Sequence, residues 1–232
     1  MEPVAAERPL LSFRGVDAHY GRREAVLHAI DLEIARGELV FLVGRSGAGK
    51  STILRLLTGE VRPSAGSLTL DGREIASLSD AELPAHRRRL GIVFQDAKLL
   101  PRFTLAENVA FPLEIDGAEP ALIAREVARS LTAVGLARLG DRYPHEVSGG
   151  ERSRASFARA IVARPTIVLA DEPTADLDPF TAYEVAEILA SLNRDGTTLL
   201  VATHAMEIVS ALGKRVVAID EGRILSDGPV RP

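Results

Sequence analysis

The chain has 232 residues, of which 46% are hydrophobic and 26% charged. This composition is typical of a globular protein with one full α/β domain, or a core domain that carries an insert. The formal net charge of −4 argues against nucleic-acid binding as the main role, because such domains usually carry an excess of Lys and Arg. The sequence contains no cysteine, which excludes disulfides and thiolate metal sites and fits a reducing compartment.

Membrane-spanning segments are not predicted. The longest apolar runs have the length of a strand, whereas a helix that crosses a bilayer needs roughly 20 apolar residues. Residues 1–9 lack the apolar run of a signal peptide. We therefore expect any membrane role to depend on a partner.

The N-terminal part, residues 10–34, has apolar residues in alternation, interrupted by Gly21-Arg22-Arg23. This pattern predicts short strands joined in antiparallel hairpins. Tyr20 precedes the turn, where its ring would either stack on an adenine or pack against the protein.

A glycine-rich loop lies between a predicted strand, residues 39–43, and a predicted helix that begins at Ile53. Such a loop binds a polyphosphate, because successive backbone N–H groups and the helix dipole converge on the anion and glycines avoid Cβ clashes. Lys50 would reach the β and γ phosphates, and Ser51 would ligate Mg²⁺. The predicted phosphate-binding residues are Gly44, Arg45, Ser46, Gly47, Ala48, Gly49, Lys50, Ser51 and Thr52.

The next segment predicts a hairpin at Asp71-Gly72, a polar helix over residues 79–89 capped by Ser79, and a buried strand over residues 90–94. This strand ends at Gln95. A Gln at the carboxyl edge of an α/β sheet is well placed to meet a ligand. An ordinary solvated side chain is the simpler interpretation of this residue alone.

Helical periodicity dominates residues 96–159, where Thr104 caps a first helix that Pro112 is expected to end or kink. We predict a helical subdomain over these residues, inserted into a single domain whose α/β core and β subdomain span residues 10–95 and 160–232. Four apolar side chains on its surface would form a docking site or pack in the core: Leu99, Leu100, Phe103 and Phe111.

A second anion-binding helix end is predicted around Ser148, which forms a capping box with Glu151 before a helix over residues 152–164. Gly149 and Gly150 leave backbone N–H groups accessible to an anion. A plain helix cap is the alternative, although a cap alone would not require two glycines.

Two adjacent carboxylates, Asp171 and Glu172, follow a continuously apolar strand predicted over residues 166–170. Carboxylates at the buried edge of a sheet are costly unless they are used. Beside a phosphate loop, Asp171 can hold Mg²⁺ through water, and Glu172 can orient or deprotonate the attacking water. The next buried strand, residues 197–202, is followed by His204, whose imidazole would contact the γ phosphate.

In this order the motifs resemble those of the ATP-binding subunits of ATP-binding cassette (ABC) systems, over almost the whole chain. The matching motifs are Walker A at residues 44–52, the Q-loop at Gln95, the signature motif at residues 147–151, the Walker B strand at residues 167–172, the D-loop at residues 175–178, the switch histidine His204 and the adenine-stacking Tyr20. The resemblance implies an α/β P-loop NTPase core of the RecA-like type, with an N-terminal antiparallel β subdomain and an inserted helical subdomain.

The resemblance also implies an ATPase that needs two chains. In an ATP-dependent homodimer packed head to tail, ATP on one Walker A loop meets the signature motif of the other copy. The implied cofactors are ATP and Mg²⁺. The implied nucleotide-binding signature residues are Ser148, Gly149, Gly150 and Glu151. The implied catalytic residues are Glu172, His204 and Gln95, and the implied Mg²⁺ ligands are Ser51, Gln95 and Asp171.

Within the ABC family, three segments resemble the cell-division ATP-binding group FtsE: residues 93–100, 104–112 and 170–174. That resemblance implies a membrane partner of the FtsX type, control of peptidoglycan hydrolysis in bacterial cell division, and a location at the cytoplasmic face of the plasma membrane. The ATPases of lipoprotein-release and macrolide-export systems are the alternative.

The sequence departs from the family pattern in three places. Ala205 replaces an Asp after the switch histidine, and Ser153 replaces a common Gln after the signature motif. Residues 175–178 read Ala-Asp-Leu-Asp in place of Gly-Asn-Leu-Asp. These departures affect the subgroup and the turnover rate more than ATP binding.

Other functional classes fit less well. A small P-loop kinase or GTPase would not use residues 148–151, and the guanine-reading motif Asn-Lys-x-Asp does not occur in the sequence. A non-hydrolytic scaffold that signals by dimerising would not need Glu172. A DNA-associated ABC ATPase would carry a long coiled-coil insertion between Walker A and the signature motif, which this chain lacks.

Overall fold

The computed structural model describes residues 8–19 and 25–230, so Tyr20 and the turn beside it lie outside the described residues. The strands, in chain order, are β1 Leu11–His19, β2 Ala25–Ile34, β3 Leu39–Val43, β4 Ala65–Leu70, β5 Arg73–Glu74, β6 Leu90–Val93, β7 Ile167–Asp171, β8 Leu199–Thr203, β9 Arg215–Asp220 and β10 Arg223–Pro229. The helices are α1 Lys50–Leu57, α2 Leu83–Arg87, α3 Leu105–Ile115, α4 Pro120–Ala133, α5 Gly149–Ile161, α6 Pro179–Arg194 and α7 Met206–Leu212.

A largely parallel sheet forms the core, with the strand order β10-β9-β3-β8-β7-β6. β3 pairs in parallel with β8 and β9, and β7 pairs in parallel with β6 and β8, whereas β10 is antiparallel to β9. β3 and β8 are buried along their whole length, as expected of strands covered on both faces. The carboxyl ends of β3, β6, β7 and β8 therefore meet at one edge of the sheet.

An antiparallel sheet, in the order β2-β1-β4-β5, covers one face of this core. Helix α1 lies in the same apolar cluster as both sheets, where Ile53 is buried with Phe13 of β1 and Val40 of β3. The predicted antiparallel β subdomain is therefore confirmed.

Helices α3, α4 and α5 cover the other face of the core sheet. Phe41 of β3 belongs to a second apolar cluster, which it shares with Val109 of α3 and Phe157 of α5. Val40 and Phe41 thus face opposite cores, because side chains alternate along a strand. The α/β class with a helical insertion is confirmed, while the residue limits of the subdomains stay a prediction.

Helix α2 is shorter than predicted. It covers only Leu83–Arg87, with Pro84 in its first turn, the part of a helix that tolerates proline. Ser79 does bond to Glu82, through its backbone N–H (2.9 Å) and its hydroxyl (2.7 Å) to Oε2. This contact closes a turn before the helix rather than capping the helix itself.

Two further helix limits differ from those predicted. Pro112 does not end α3, which continues to Ile115, because Leu113 beyond the proline is buried in the core; the alternative, a kink at Pro112, stays a prediction. Helix α5 begins at Gly149 rather than at residue 152, because Ser148 occupies the N-cap position. Among residues 8–19 and 25–230, no helix combines the length and apolarity needed to cross a membrane.

Candidate functional site

The phosphate loop, residues 44–49, connects β3 to α1 at the carboxyl edge of the core sheet. Gly49 is the N-cap of α1 and has a φ of 111°, a conformation that favours glycine. At Gly44, a Cβ would lie 2.1 Å from the carbonyl oxygen of Ile219. Both positions therefore require glycine for the loop to close in this shape.

Lys50 begins α1 and is only 7% exposed. Its Nζ donates to the carbonyl oxygens of Gly44 (2.7 Å) and Arg45 (3.3 Å). The same ammonium lies 3.6 Å from Oε1 of Glu172. A buried ammonium needs such partners, and a phosphate oxygen is a suitable replacement for the carboxylate.

Glu172 follows β7 with a φ of 48°, a conformation that L-residues rarely adopt and that recurs at functional sites. Its backbone N–H donates to the carbonyl oxygen of Ala202 (2.8 Å). Its Oε2 accepts a bond from the backbone N–H of His204 (3.2 Å) and lies 2.9 Å from Nδ1 of the same residue. The carboxylate is therefore held between Lys50 and His204.

The predicted metal ligands also lie together. The Ser51 hydroxyl donates to Oδ1 of Asp171 (3.2 Å), and Nε2 of Gln95 donates to Oδ2 of Asp176 (3.4 Å). These four side chains line a cavity of about 500 Å³. Hydroxyl, amide and carboxylate oxygens are ligands that Mg²⁺ prefers. The described part of the chain has no group of three or more His, Cys, Asp or Glu side chains that could hold a metal ion.

A cleft of about 760 Å³ runs along the phosphate loop. Most of the residues predicted for phosphate, metal and water line it: Arg45, Ser46, Gly47, Gly49, Lys50, Ser51, Thr52, Gln95, Asp171, Glu172 and His204. Gly44 and Ala48 instead form the loop itself, where the Ala48 N–H donates to the Arg45 carbonyl oxygen (3.1 Å).

Val26 and Arg55 were not predicted for this site, and Ala175 and Asp176 were predicted only as part of the D-loop, with no role assigned. Val26, Arg55 and Ala175 line the cleft, and Asp176 contacts Gln95. Arg55 follows Ser51 by one helical turn, a spacing that places both on one helix face and that the sequence makes visible. Val26 comes from the antiparallel sheet, and no local pattern connects it to the phosphate loop.

The tip of α5 is a capped helix end, as predicted. The Ser148 hydroxyl accepts a bond from the Glu151 N–H (3.2 Å), and the Ser148 N–H donates to Oε2 of Glu151 (2.7 Å). These backbone and side-chain bonds with Ser148 lower the pKa of Glu151. Ser148 and Gly149 are exposed, and neither lines the cleft along the phosphate loop. Within one chain, the two helix ends predicted to bind anions are therefore not brought together.

The adjacent glycines of this tip differ in their surroundings. A Cβ on Gly150 would lie 2.1 Å from Cγ2 of Thr181 on α6, whereas one on Gly149 would be 3.7 Å from its nearest neighbour, Nη2 of Arg152. Gly150 is thus required for helix packing, and Gly149 leaves the surface at the tip open.

An apolar groove of about 430 Å³ lies between α3 and the β6 end of the core sheet. Leu100 and Phe111 line it, as does Ile115, which is 57% exposed. Leu99 packs against the core instead, and Phe103 meets Phe111 edge to face with ring centroids 6.1 Å apart. The rim is mostly basic, with Arg87, Arg88, Lys98 and Arg159, and it includes Asp116, which pairs with Arg88 (2.6 Å).

Comparisons with known proteins agree with this geometry. Residues 27–175 match the family model described as ABC transporter. The cell division ATP-binding protein FtsE of Bacillus subtilis is 42% identical over 218 residues, which cover 94% of this chain and 96% of that protein. The methionine import ATP-binding protein MetN of Brucella abortus is 40% identical over 230 residues. That match covers 99% of this chain but only 62% of MetN.

Two solved structures resemble the fold closely. One is a dimeric post-hydrolysis state of the ATP-binding cassette MJ0796 bound to ADP and Pi, with a TM-score of 0.84, 31% identity and coverage of 96% of this chain and 99% of that one. The other is CbiO1 of Clostridium perfringens, part of the ABC transporter complex CbiONQ, with a TM-score of 0.90, 30% identity and coverage of 96% and 89%. The chain therefore belongs to the ABC transporter family, as one of its ATP-binding ATPase subunits.

Proposed function

We propose that this chain hydrolyses Mg²⁺-ATP in a site shared by two copies packed head to tail. The observation that carries the proposal is the separation of the two anion-binding ends. The cleft at the phosphate loop contains Lys50, Glu172 and His204, but Ser148 and Gly149 lie outside it. A head-to-tail pair would bring each phosphate loop to the α5 tip of its partner, and the symmetry would complete both sites at once.

The side chains of the cleft have distinct roles in this proposal. Lys50 binds the β and γ phosphate oxygens, and in doing so it leaves the carboxylate of Glu172. Ser51, Gln95 and Asp171 hold Mg²⁺, which neutralises charge on the phosphate oxygens when bound. Stacking of adenine on Tyr20 stays a prediction.

Glu172 acts on the attacking water. Its Oε1 faces Lys50 at 3.6 Å, and its Oε2 lies 2.9 Å from Nδ1 of His204. Once Lys50 has turned to the phosphates, His204 keeps the carboxylate in place. Glu172 then orients the water and accepts its proton. His204 senses the γ phosphate through the same imidazole.

The shared site is tested by sedimentation of the Glu172→Gln variant. This variant should bind Mg²⁺-ATP, fail to turn it over, and sediment as a dimer with ATP but as a monomer without it. Adding Ser148→Arg should abolish the ATP-dependent dimer, because a bulky cation at the α5 tip blocks the partner's nucleotide. A Glu172→Gln chain that stays monomeric with ATP would contradict the proposal.

We further propose that the membrane partner is of the FtsX type and that the complex acts in bacterial cell division and peptidoglycan control, at the cytoplasmic face of the membrane. FtsE is supported by 42% identity over 94% of this chain and by the FtsE-like segments at residues 93–100, 104–112 and 170–174. Methionine import is the second candidate, because the identity to MetN, 40%, is almost as high. The apolar groove with its basic rim is the proposed contact with the membrane subunit.

Co-purification from detergent-solubilised membranes separates these roles. The tagged chain is co-expressed with an FtsX-like protein or, separately, with a methionine-import permease, and we expect selective recovery of the first. Ile115→Asp, in the groove, should abolish recovery. Leu225→Asp, on β10 and also exposed at 67%, serves as the matched control and should not. Recovery of the methionine-import permease but not of the FtsX-like protein would contradict the cell-division role and support methionine import.

A further inference from the structure

The turn directly after Gln95 is strained. Ala97 and Lys98 are consecutive non-glycine residues with positive φ, 57° and 43°. The Lys98 N–H donates to the carbonyl oxygen of Asp96 (2.7 Å), which closes a three-residue γ-turn around Ala97. A γ-turn with positive φ at its centre is the rare, strained form.

A single arginine from another element holds this turn. Arg159 lies in α5, the helix that begins at Gly149 and is capped by Ser148. Its Nη2 donates to the Ala97 carbonyl oxygen and its Nη1 to the Lys98 carbonyl oxygen, each at 2.7 Å. The planar guanidinium fork can reach two neighbouring carbonyls in a fixed geometry, which a lysine cannot reproduce.

The two carbonyls of this contact differ in their access to water. Burial lowers the pKa of Arg159, and Asp96 opposes this shift. Ala97 is 7% exposed, whereas Lys98 is exposed and its ammonium lies over the Phe94 ring, 4.3 Å from its centroid. The Ala97 carbonyl would therefore lose most of its bonding if the guanidinium were removed.

We infer that Arg159 is a positioning residue for Gln95, because it clamps the strained turn that follows Gln95 to the signature helix. A strained backbone persists only where its surroundings over-determine it, and here Arg159 supplies that constraint. The inference rests on the proposed role of Gln95 as a Mg²⁺ ligand. It also links the proposed docking groove to the site, because Arg159 lines the groove.

The test compares Arg159→Lys with a variant that relieves the strain. Arg159→Lys keeps the charge but loses the two-carbonyl grip. The double substitution Ala97→Gly with Lys98→Gly lets the turn adopt positive φ without a Cβ penalty. Arg129→Lys is the control, because Arg129 donates to the Ile161 carbonyl (3.3 Å) in the same helical region and does not touch the turn.

In Arg159→Lys, we expect hydrogen exchange at the amides of residues 97 and 98 to accelerate by about tenfold, with exchange in α1 unchanged. The kcat for ATP should fall by about tenfold with little change in KM, and the Mg²⁺ concentration for half-maximal rate should rise. Adding the two glycines should recover most of the kcat. Arg129→Lys should change none of these quantities.

Unchanged exchange at residues 97 and 98 in Arg159→Lys would overturn the clamp. So would a well-folded combined variant in which the two glycines restore nothing. If Arg159→Lys fails to fold, the double substitution Ala97→Gly with Lys98→Gly is tested in the otherwise unchanged chain. It should raise the melting temperature, and a lower melting temperature would overturn the inference. Hydrogen exchange tests the clamp without ATP turnover. The role of Gln95 is tested separately by the Mg²⁺ concentration for half-maximal rate in Gln95→Ala, and an unchanged value would refute that role.

Discussion

The phosphate loop and the tip of α5 differ in how much of their surroundings the chain itself supplies. Around Lys50, the carboxylate of Glu172 lies at 3.6 Å and His204 stands behind it. At the α5 tip, the Ser148 hydroxyl bonds within its own capping box, and a Cβ on Gly149 would meet only ordinary van der Waals neighbours at 3.7 Å or more. The phosphate loop has the charged side chains that hydrolysis needs next to it in the same chain. The α5 tip lies outside the cleft that contains them. This difference is what a site completed by a second copy requires.

The largest effect is expected at the phosphate loop. Lys50→Ala should weaken ATP binding by about a hundredfold, or ~2.7 kcal/mol, because it removes the charged donor to the phosphates. The matched control is Lys214→Ala, which removes an exposed lysine outside the cleft. Titration calorimetry with Mg²⁺-ATP measures both. Equal ATP affinities of the two variants would show that the nucleotide does not bind at this loop.

The two glycines of the α5 tip are expected to differ in role, because Gly150 is needed for helix packing and Gly149 is exposed at the surface. Gly150→Ala should lower the free energy of unfolding by about 2 kcal/mol, since its Cβ would meet Thr181 at 2.1 Å. Gly149→Ala should leave stability nearly unchanged and instead weaken ATP-dependent dimerisation. Urea unfolding and sedimentation separate the two effects, and a Gly149→Ala chain that dimerises normally would argue against the tip as a nucleotide contact.

An ion-pair cluster around Glu126 of α4 lies near the C-terminal end of α5, away from both the phosphate loop and the α5 tip. Glu126 is 3% exposed and bonds to Arg164 (2.9 Å) and Arg129 (2.7 Å). The Arg164 hydrogen bond, followed by that of Arg129, lowers its pKa from 4.5 to about 2. Glu126→Gln should therefore cost about 1.5 kcal/mol of stability at neutral pH, the value of a hydrogen bond to a charged group, without weakening ATP binding.

The pH dependence of this variant follows from the direction of the shift. A carboxyl whose pKa is lower in the folded state stabilises the fold above its unfolded pKa, and this contribution is lost as pH falls through the folded pKa. Wild type should lose the contribution between pH 4.5 and about 2, and Glu126→Gln should lack that part of the titration. Urea midpoints that fall in parallel for both proteins over this range would exclude the predicted role.

The smallest effect is expected beside His204, where α7 starts without a side-chain cap at Ala205. Ala205→Asp should stabilise the protein by about 1 kcal/mol, because an Asp at the N-cap accepts a bond from the first helical turn. The melting temperature should rise while the α5 tip is unaffected. A lowered melting temperature would show that position 205 does not tolerate the family's Asp in this chain.

The features that could be predicted from the sequence are those that depend on residues close together in the chain. The phosphate loop, the Ser148 capping box and the strand before Asp171 are each encoded by neighbouring residues, and all three occur in the structure. The antiparallel β subdomain was predictable for the same reason, from alternation along β1 and β2.

Contacts between distant segments were not predictable from local patterns. Gln95 meets Asp176 across 81 positions, and Arg159 reaches Ala97 across 62. The turn at Ala97 and Lys98 contains no glycine to announce its positive φ. The continuation of α3 past Pro112 was not predictable either, because burial of Leu113 outweighs the hydrogen bond that the proline removes.

The most direct test of the shared site mixes two inactive variants. A Lys50→Ala chain keeps its α5 tip, and a Ser148→Arg chain keeps its phosphate loop. In a head-to-tail pair of one chain of each kind, one of the two sites has both elements intact. The account predicts that each variant alone is inactive and that an equal mixture recovers about a quarter of the wild-type ATPase rate, because half of the random pairs are mixed and each has one working site. A mixture no more active than its separate components would contradict it.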